Sequence, residues 1–307
     1  MSTETFLPFH ADEVAAQTLA GGGLRRAPIR PYLPEQHREF FPLLPYLFSA
    51  TLDGRGWPMA SVLSGPYGFV TSPDPATLRI AALPRADDPA GPGFVAGTDI
   101  GLIGIDLTTR RRNRVNGRIL AVDDGITVGV TQSFGNCPQY IQIRAPLPHP
   151  VTATVTVETM TGLDSDARTL IAGADTFFVA SRGREALGAA GGLDMSHRGG
   201  QAGFVGIEGD TLAIPDFSGN RFFNTLGNLL GDPRAGLLFV DFATGDLLQL
   251  QGTVTIDWHP DLSAPRGAQR IWRVMLERAW RRRDAFPFRW HFGEFAPTTL
   301  ATGTWSR

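Results

Sequence analysis

One repeat constrains this chain more than any other feature of it. Gly101-Leu-Ile-Gly-Ile-Asp106-Leu-Thr-Thr109 returns as Gly236-Leu-Leu-Phe-Val-Asp241-Phe-Ala-Thr244, an offset of 135 (101 to 236). In the same register Gly117 falls on Gly252, Gly65 on Gly200, and Gly68-Phe69-Val70 on Gly203-Phe204-Val205. Thr77-Leu78 matches Thr211-Leu212 one residue out of step. One glycine pair would mean little, but a register held over so long a span marks two copies of one unit.

Each copy reads as short strands. In the first they are expected at 47–52, 59–63, 77–81, 101–107 and 114–122. In the second, 176–181 opens the unit, a hairpin joins 203–207 to 211–214 through Glu208-Gly209-Asp210, and another joins 237–242 to 247–256 through Ala243-Thr244-Gly245. The 36 glycines and 23 prolines lie between apolar runs, as turns do. The pattern predicts a mainly β protein, barrel or sandwich, with peripheral helices. Helices are expected at 12–20, 34–41, 137–143, 220–230 (Ser218 as N-cap, Gly231 after its end) and 266–282, where Ile271, Val274-Met275 and Ala279 follow a helical spacing. The domain plan is an N-terminal helical segment over 1–45, the first repeat over 46–145, a proline-rich linker over 146–167, the second repeat over 168–260, and a C-terminal helix and tail over 261–307.

A formal charge of −2 offers no global field for nucleic acid or an anionic membrane. Two basic runs stand out, Arg110-Arg111-Arg112 with Arg114, and Arg281-Arg282-Arg283; the second reads as a solvated face. The single cysteine, Cys137, excludes an intrachain disulfide. The first residues lack the basic start and apolar core of a signal peptide, and no apolar run approaches a bilayer's thickness, so a cytoplasmic location is expected. The six histidines are scattered without ligand spacing, so no metal is expected. Neither a dinucleotide-binding glycine motif nor a hydrolase nucleophile elbow is present.

Chemistry concentrates in Pro215-Asp-Phe-Ser218-Gly-Asn220-Arg221-Phe-Phe-Asn224-Thr-Leu-Gly-Asn228. A strand stops, a glycine turn follows and a helix begins, so unpaired N–H groups converge where a phosphate would sit. Ser218 offers a hydroxyl, Asn220 an amide and Arg221 a forked cation. An ordinary capped helix with a surface arginine would show the same spacing. Arg112, Arg114 and Asn116 lie two apart on one strand and share a face. They would form either a cationic row facing an anion-attracting cleft or a solvated edge strand. Cys137, in Phe134-Gly-Asn-Cys-Pro-Gln-Tyr140, reads as a reactive thiol at a helix start or as a buried apolar residue.

These segments carry a resemblance. His197-Arg-Gly-Gly200, Gly203-Phe-Val, Ile214 to Asn228 and Gly236-Leu-Leu-Phe-Val-Asp241 look like the flavin-nucleotide-binding branch of the pyridoxamine 5′-phosphate oxidase-like superfamily. The first copy is similar through Asp53-Gly-Arg-Gly-Trp-Pro58-Met-Ala-Ser61, the run from Arg110 to Asn116, and Ser133-Phe-Gly-Asn-Cys137-Pro-Gln-Tyr140-Ile. The likeness implies two tandem FMN-binding split β-barrel repeats related by a pseudo-two-fold. It implies FMN phosphate at Ser218, Asn220 and Arg221, the ring and ribityl chain along Ser196, His197 and Arg198, and polar contacts from Gln249 or Gln251. Arg114 and Asn116 occupy the same register in the first copy. Asn220 departs from the basic pair of the vitamin B6 oxidases, so that substrate is not implied.

The resulting expectation is a flavin-dependent oxidoreductase acting on a small-molecule substrate or electron donor (a reduced nicotinamide or a reductase), with unassigned catalytic residues. The alternatives are a non-catalytic module for flavin, haem or deazaflavin, and an electron-transfer partner of a separate reductase. No nucleic-acid or membrane partner is expected; the internal pair of barrels either replaces the usual dimer or itself associates as a homodimer.

Overall fold

A computed structural model describes residues 6–23, 27–150, 155–185, 187 and 191–305. The first unit is a seven-stranded antiparallel sheet made of β1 (Tyr46–Leu52), β2 (Pro58–Ser64), β3 (Val70–Asp74), β4 (Thr77–Ile80), β5 (Asp99–Asp106), β6 (Arg111–Val122) and β7 (Ile126–Gly135), in the order β2-β1-β5-β6-β7-β4-β3. After β8 (Arg144–Pro148) and β9 (Val157–Met160), the second unit uses β10 (Thr176–Gly183), β11 (Gly192–Gly199), β12 (Gly206–Glu208), β13 (Thr211–Phe217), β14 (Arg234–Val240), β15 (Leu247–Asp257) and β16 (Ala268–Arg282), in the order β11-β10-β14-β15-β16-β13-β12. The two orders are the same once each strand is matched to its counterpart. The protein is therefore mainly β, built from two copies of one barrel-type sheet. β17 (Phe288–Phe292) pairs with β8, tying the tail to the connection between the units.

The repeated glycines are repeated for physical reasons. Gly68 and Gly203 both adopt φ +87, a left-handed conformation that disfavours a side chain. A Cβ on Gly65 would strike the Phe69 ring, and one on Gly200 the Phe204 ring. Gly117 and Gly252 both follow a register slip against the next strand, where a Cβ would strike a backbone carbonyl.

The units face one another about a pseudo-two-fold. A Cβ on Gly101 of β5 would come within 2.7 Å of the Leu193 carbonyl oxygen on β11. Its counterpart Gly236 of β14 meets the carbonyl of Pro58 on β2, the counterpart of Leu193. Such reciprocal contacts define an isologous interface. At its centre the equivalent residues Phe48 and Phe178 stack on each other, ring centroids 3.6 Å apart and planes 17° from parallel. Strand alternation supplies the layers. Leu47, Phe177 and Val179 turn into their own barrels, whereas Tyr46, Phe48, Phe178 and Ala180 turn to the shared core, which Phe286, Phe288 and Trp290 close.

Helices are α1 (Ala11–Leu19), α2 (Glu35–Phe40), α3 (Ser165–Gly173), α4 (Asn224–Gly231) and α5 (Pro297–Leu300). His10 and Glu13 form a reciprocal capping box at the start of α1.

Three expectations need correction. Residues 266–282 are not a helix: β16 completes the second sheet, so that unit runs past 260. The pairings Gln251↔Arg278 and Gly252↔Leu276 leave Glu277 as an extra residue, and this bulge shifts the two-residue alternation enough to imitate a helical spacing. Residues 137–143 form no helix either, because Tyr140 has φ 61 and the segment is pinned as a loop. The run Arg281-Arg282-Arg283 is a solvated face only at Arg283, which is exposed. Arg281 pairs with Glu158 and Asp164, while Arg282, 1% exposed, reaches across to Asp87 and Asp88 of the first unit.

Candidate functional site

A cleft partly open to solvent lies where β6 of the first unit faces β11 of the second. Its walls hold Arg112 and Arg114 of β6, Ser196, His197 and Arg198 of β11, the turn Gly219 to Arg221 with the first turn of α4, and the loop carrying Cys137 and Tyr140. The sequence-predicted residues Arg114, Ser196, His197, Arg198, Asn220 and Arg221 thus converge, although they come from both copies. The strand face formed by Arg112 and Arg114 is directed into the cleft rather than forming a solvated edge.

The expected anion turn differs in detail. β13 continues to Phe217 rather than ending at Ile214. Arg221 and Phe223 then take left-handed conformations (φ 61 and 60), which delays the helix to Asn224. Ser218 is therefore not the N-cap; Phe223 is, without a side-chain cap, and Ser218 is exposed with its carbonyl accepting from the Tyr140 hydroxyl at 2.8 Å. Asn220 donates to Asn136 at 2.8 Å. Arg221 turns its guanidinium to the carbonyls of Ala20 and Gly22 after α1, so it latches the N-terminal segment. The first-turn N–H groups of Asn224, Thr225 and Leu226 have no partner within the helix, and those residues line the cleft.

Every cation here is arginine, since the chain contains no lysine. Arginine stays charged when buried and binds planar anions through two parallel donors. Arg114, 4% exposed, pairs with Asp194, and Arg270 pairs with Asp216 at 2.8 Å. Arg112 and Arg198 have no carboxylate partner among the described residues. Arg112 donates to His197 Nδ1 at 2.9 Å and to the Cys137 carbonyl at 2.8 Å; Arg198 donates to the His197 carbonyl at 3.2 Å. Burial, together with neighbouring Arg198 and Arg114, pushes the Arg112 guanidinium down to about 9. Burial, reinforced by Arg112 and Arg198, holds the His197 imidazole well below its ordinary value, so it is neutral. Because Arg112 can only donate, Nδ1 of His197 accepts and the ring proton resides on Nε2. Neither ring nitrogen then has a free lone pair for a metal. Among the described residues no group of three or more His, Cys, Asp or Glu side chains could hold a metal ion.

Gln249, Gln251 and Asn116 lie outside the cleft. Asn116 donates to Asp194 at 2.7 Å behind Arg114. Gln249 and Gln251 occupy the pseudo-symmetric position across the axis, since the pairings Ile103↔Arg114 and Leu238↔Gln249 are equivalent. There Gln249 donates to the Ala60 carbonyl and to Asp88, and Gln251 to Asp53 and the Pro58 carbonyl. The counterparts of His197, Arg198 and Arg112 are Val62, Leu63 and Leu247. The cations are replaced by apolar groups, and Asp88, 5% exposed, bonds to Ser61 and Gln249. The resemblance implied Gln249 or Gln251 in the site, and the repeat added Arg114 and Asn116 from the same register; the structure puts the two pairs on opposite sides of the axis. The departures at 62, 63 and 247 were the available signal that the two faces are not equivalent.

The fold and cleft define a mainly β protein of two barrel-type units with a cationic cleft between them. No family model and no curated protein matches the sequence. Among solved structures the chain is similar to a histidine-to-alanine variant of HupZ from Group A Streptococcus, at 12% identity and a TM-score of 0.30, covering 38% of this chain and 98% of that one. No helix among the described residues is long and apolar enough to cross a membrane.

Proposed function

We propose that the cleft binds FMN, and that the chain works as a flavin-dependent oxidoreductase or as a flavin-carrying partner of a reductase. The observation that carries this reading is the pair Arg112 and Arg198, two cations without carboxylate partners, side by side at a cleft between the units. An anionic group entering the cleft would offset their mutual repulsion and gain charge-assisted hydrogen bonds. The likeness of Ile214 to Asn228 to flavin-nucleotide-binding sequences selects a flavin phosphate as that anion. Arg198, Arg112 and the first-turn N–H groups of α4 would hold it, while Tyr140, Phe217 and Phe223 offer aromatic surface to a planar ring. When bound, FMN supplies the hydride or electron chemistry. The chain's own residues bind it, orient it and exclude water. With the proton of His197 on Nε2, a flavin or deazaflavin is favoured over a haem ligated by that histidine.

Titration with FMN and with riboflavin tests the reading. FMN is expected to bind more tightly, and Arg198→Gln to weaken FMN about 10- to 100-fold while leaving riboflavin nearly unchanged, as the loss of a charged hydrogen bond of roughly 1.5–3 kcal/mol requires. A protein that takes up no FMN, or that treats both ligands alike, would overturn it.

Stoichiometry gives a second check. The face carrying Val62, Leu63 and Leu247 has apolar side chains where the cleft has His197, Arg198 and Arg112. Its buried Asp88 is already bonded to Ser61 and Gln249 and paired with Arg282, so calorimetry is expected to count one FMN per chain. Two equivalent sites would contradict the asymmetry drawn here.

A further inference from the structure

Cys137 is exposed on the wall of the same cleft. It belongs to the loop after β7, which Arg112 holds through the Cys137 carbonyl and Tyr140 through the Ser218 carbonyl. Cys137 therefore shares this wall with Arg112 and opens on the same cleft as Arg198, neither of which has a carboxylate partner among the described residues. Two further polar side chains in these walls are incompletely satisfied. Arg114 Nε and His197 Nε2 have no hydrogen-bond partner, and their residues are 4% and 5% exposed.

We propose that Cys137 is a modification site selective for anionic disulfides, the class of carboxylate-bearing peptide disulfides, and that its modification caps the cleft. The proposal rests on the anion-binding part of the reading above and not on the identity of the flavin. A positive field at a solvent-open cleft raises the local concentration of an anionic reagent, and reactive thiols occur in such electropositive, accessible surroundings. The step is thiol–disulfide exchange. The Cys137 thiolate attacks one sulfur of the reagent, the reagent's S–S bond breaks, a mixed disulfide forms, and the other half leaves as a thiolate. The disulfide is the oxidant, the proton of Cys137 goes to solvent, and the bound half brings its negative charge to Arg112 and Arg198.

Because Cys137 is the only cysteine, each reagent reads this site alone. The full-length protein is treated with dianionic 5,5′-dithiobis(2-nitrobenzoate) and with neutral 4,4′-dithiodipyridine, each rate divided by that of a small neutral thiol. At low salt the normalised preference for the anion is expected to be about fivefold or more and to fall towards unity at high salt, as screening removes the field. Arg198→Gln should lower it at low salt. A preference near unity at low salt, insensitivity to salt, or a thiol that reacts with neither reagent overturns the proposal. Inorganic phosphate is expected to slow the anionic reagent more than chloride at equal ionic strength, and equal slowing would count against an anion site. The capped protein should lose affinity for phosphate; unchanged affinity would refute the capping. If phosphate protects Cys137 and FMN does not, the thiol proposal stands and the flavin reading fails.

Discussion

Truncating Phe178 to alanine is expected to destabilise the chain by about 3–5 kcal/mol, the range for removing a buried phenylalanine from a packed core. The side chain is fully buried, stacked on Phe48 and edge-on to His197 with ring centroids 5.7 Å apart. Its loss would open a void in a core that both units share. Phe48→Ala should cost a similar amount, because the pseudo-two-fold places it in the equivalent position against Tyr46 and Phe286. The two changes should not be additive. Once either ring is gone the other has no stacking partner, so a double-mutant cycle should return a coupling of roughly 0.5–1.5 kcal/mol for the aromatic pair. Urea unfolding of the four proteins measures this. Strict additivity, or a loss below about 1 kcal/mol for either single change, would mean that the shared core does not depend on this stack.

Phe178 also shows what was legible in the sequence. The glycine repeat was readable because each pair answers a local demand: a positive φ at Gly68 and Gly203, a bulge at Gly117 and Gly252, a backbone crossing at Gly101 and Gly236. Such demands admit almost no other residue, so they survive as identities. The offset of 135 does not hold along β1 and β10, where Phe48 and Phe178 are 130 apart (48 to 178), so the identities Phe48/Phe178 and Ala50/Ala180 fall outside the register that the glycines keep. β16 was misread because its bulge breaks the alternation that signals a strand. The cleft was half legible. Ser196, His197, Arg198, Arg112 and Arg114 were singled out, and they meet. Gln249 and Gln251 were drawn in by the family resemblance, which matches a strand without showing which copy of a duplicated unit has kept its charges. Arg221 was misassigned for another reason: its partners are the carbonyls that follow α1, contacts distant in sequence that no local motif announces.

Glu13 is expected to make the chain less stable as pH rises from about 4.5 to about 7. The residue is 2% exposed; its carboxylate accepts from Asn224 Nδ2 and, at 2.9 Å, from the backbone N–H of His10. Burial is the main cause that lifts its pKa from 4.5 to about 7, with Asp194 adding to the rise and His10 opposing it. A carboxyl raised in this way holds its proton more tightly when folded. Its contribution is therefore fully present below the unfolded value of 4.5, declines across the interval to about 7, and is level above it. The interval corresponds to about 3 kcal/mol. Glu13→Gln keeps the shape and an acceptor but cannot ionise. The stability difference between variant and natural chain should accordingly move in the variant's favour by an amount of that order between acidic and mildly alkaline pH. Taking the difference cancels other groups that titrate in the window. The effect should reach the cleft, because α1 sits directly on α4: a Cβ on Gly227 would come within 2.7 Å of Glu13 Cγ, and His10 Nε2 bonds to Asn228 at 2.8 Å. Urea unfolding of both proteins across this pH range would decide the matter, and parallel profiles would show that Glu13 titrates as an ordinary carboxyl.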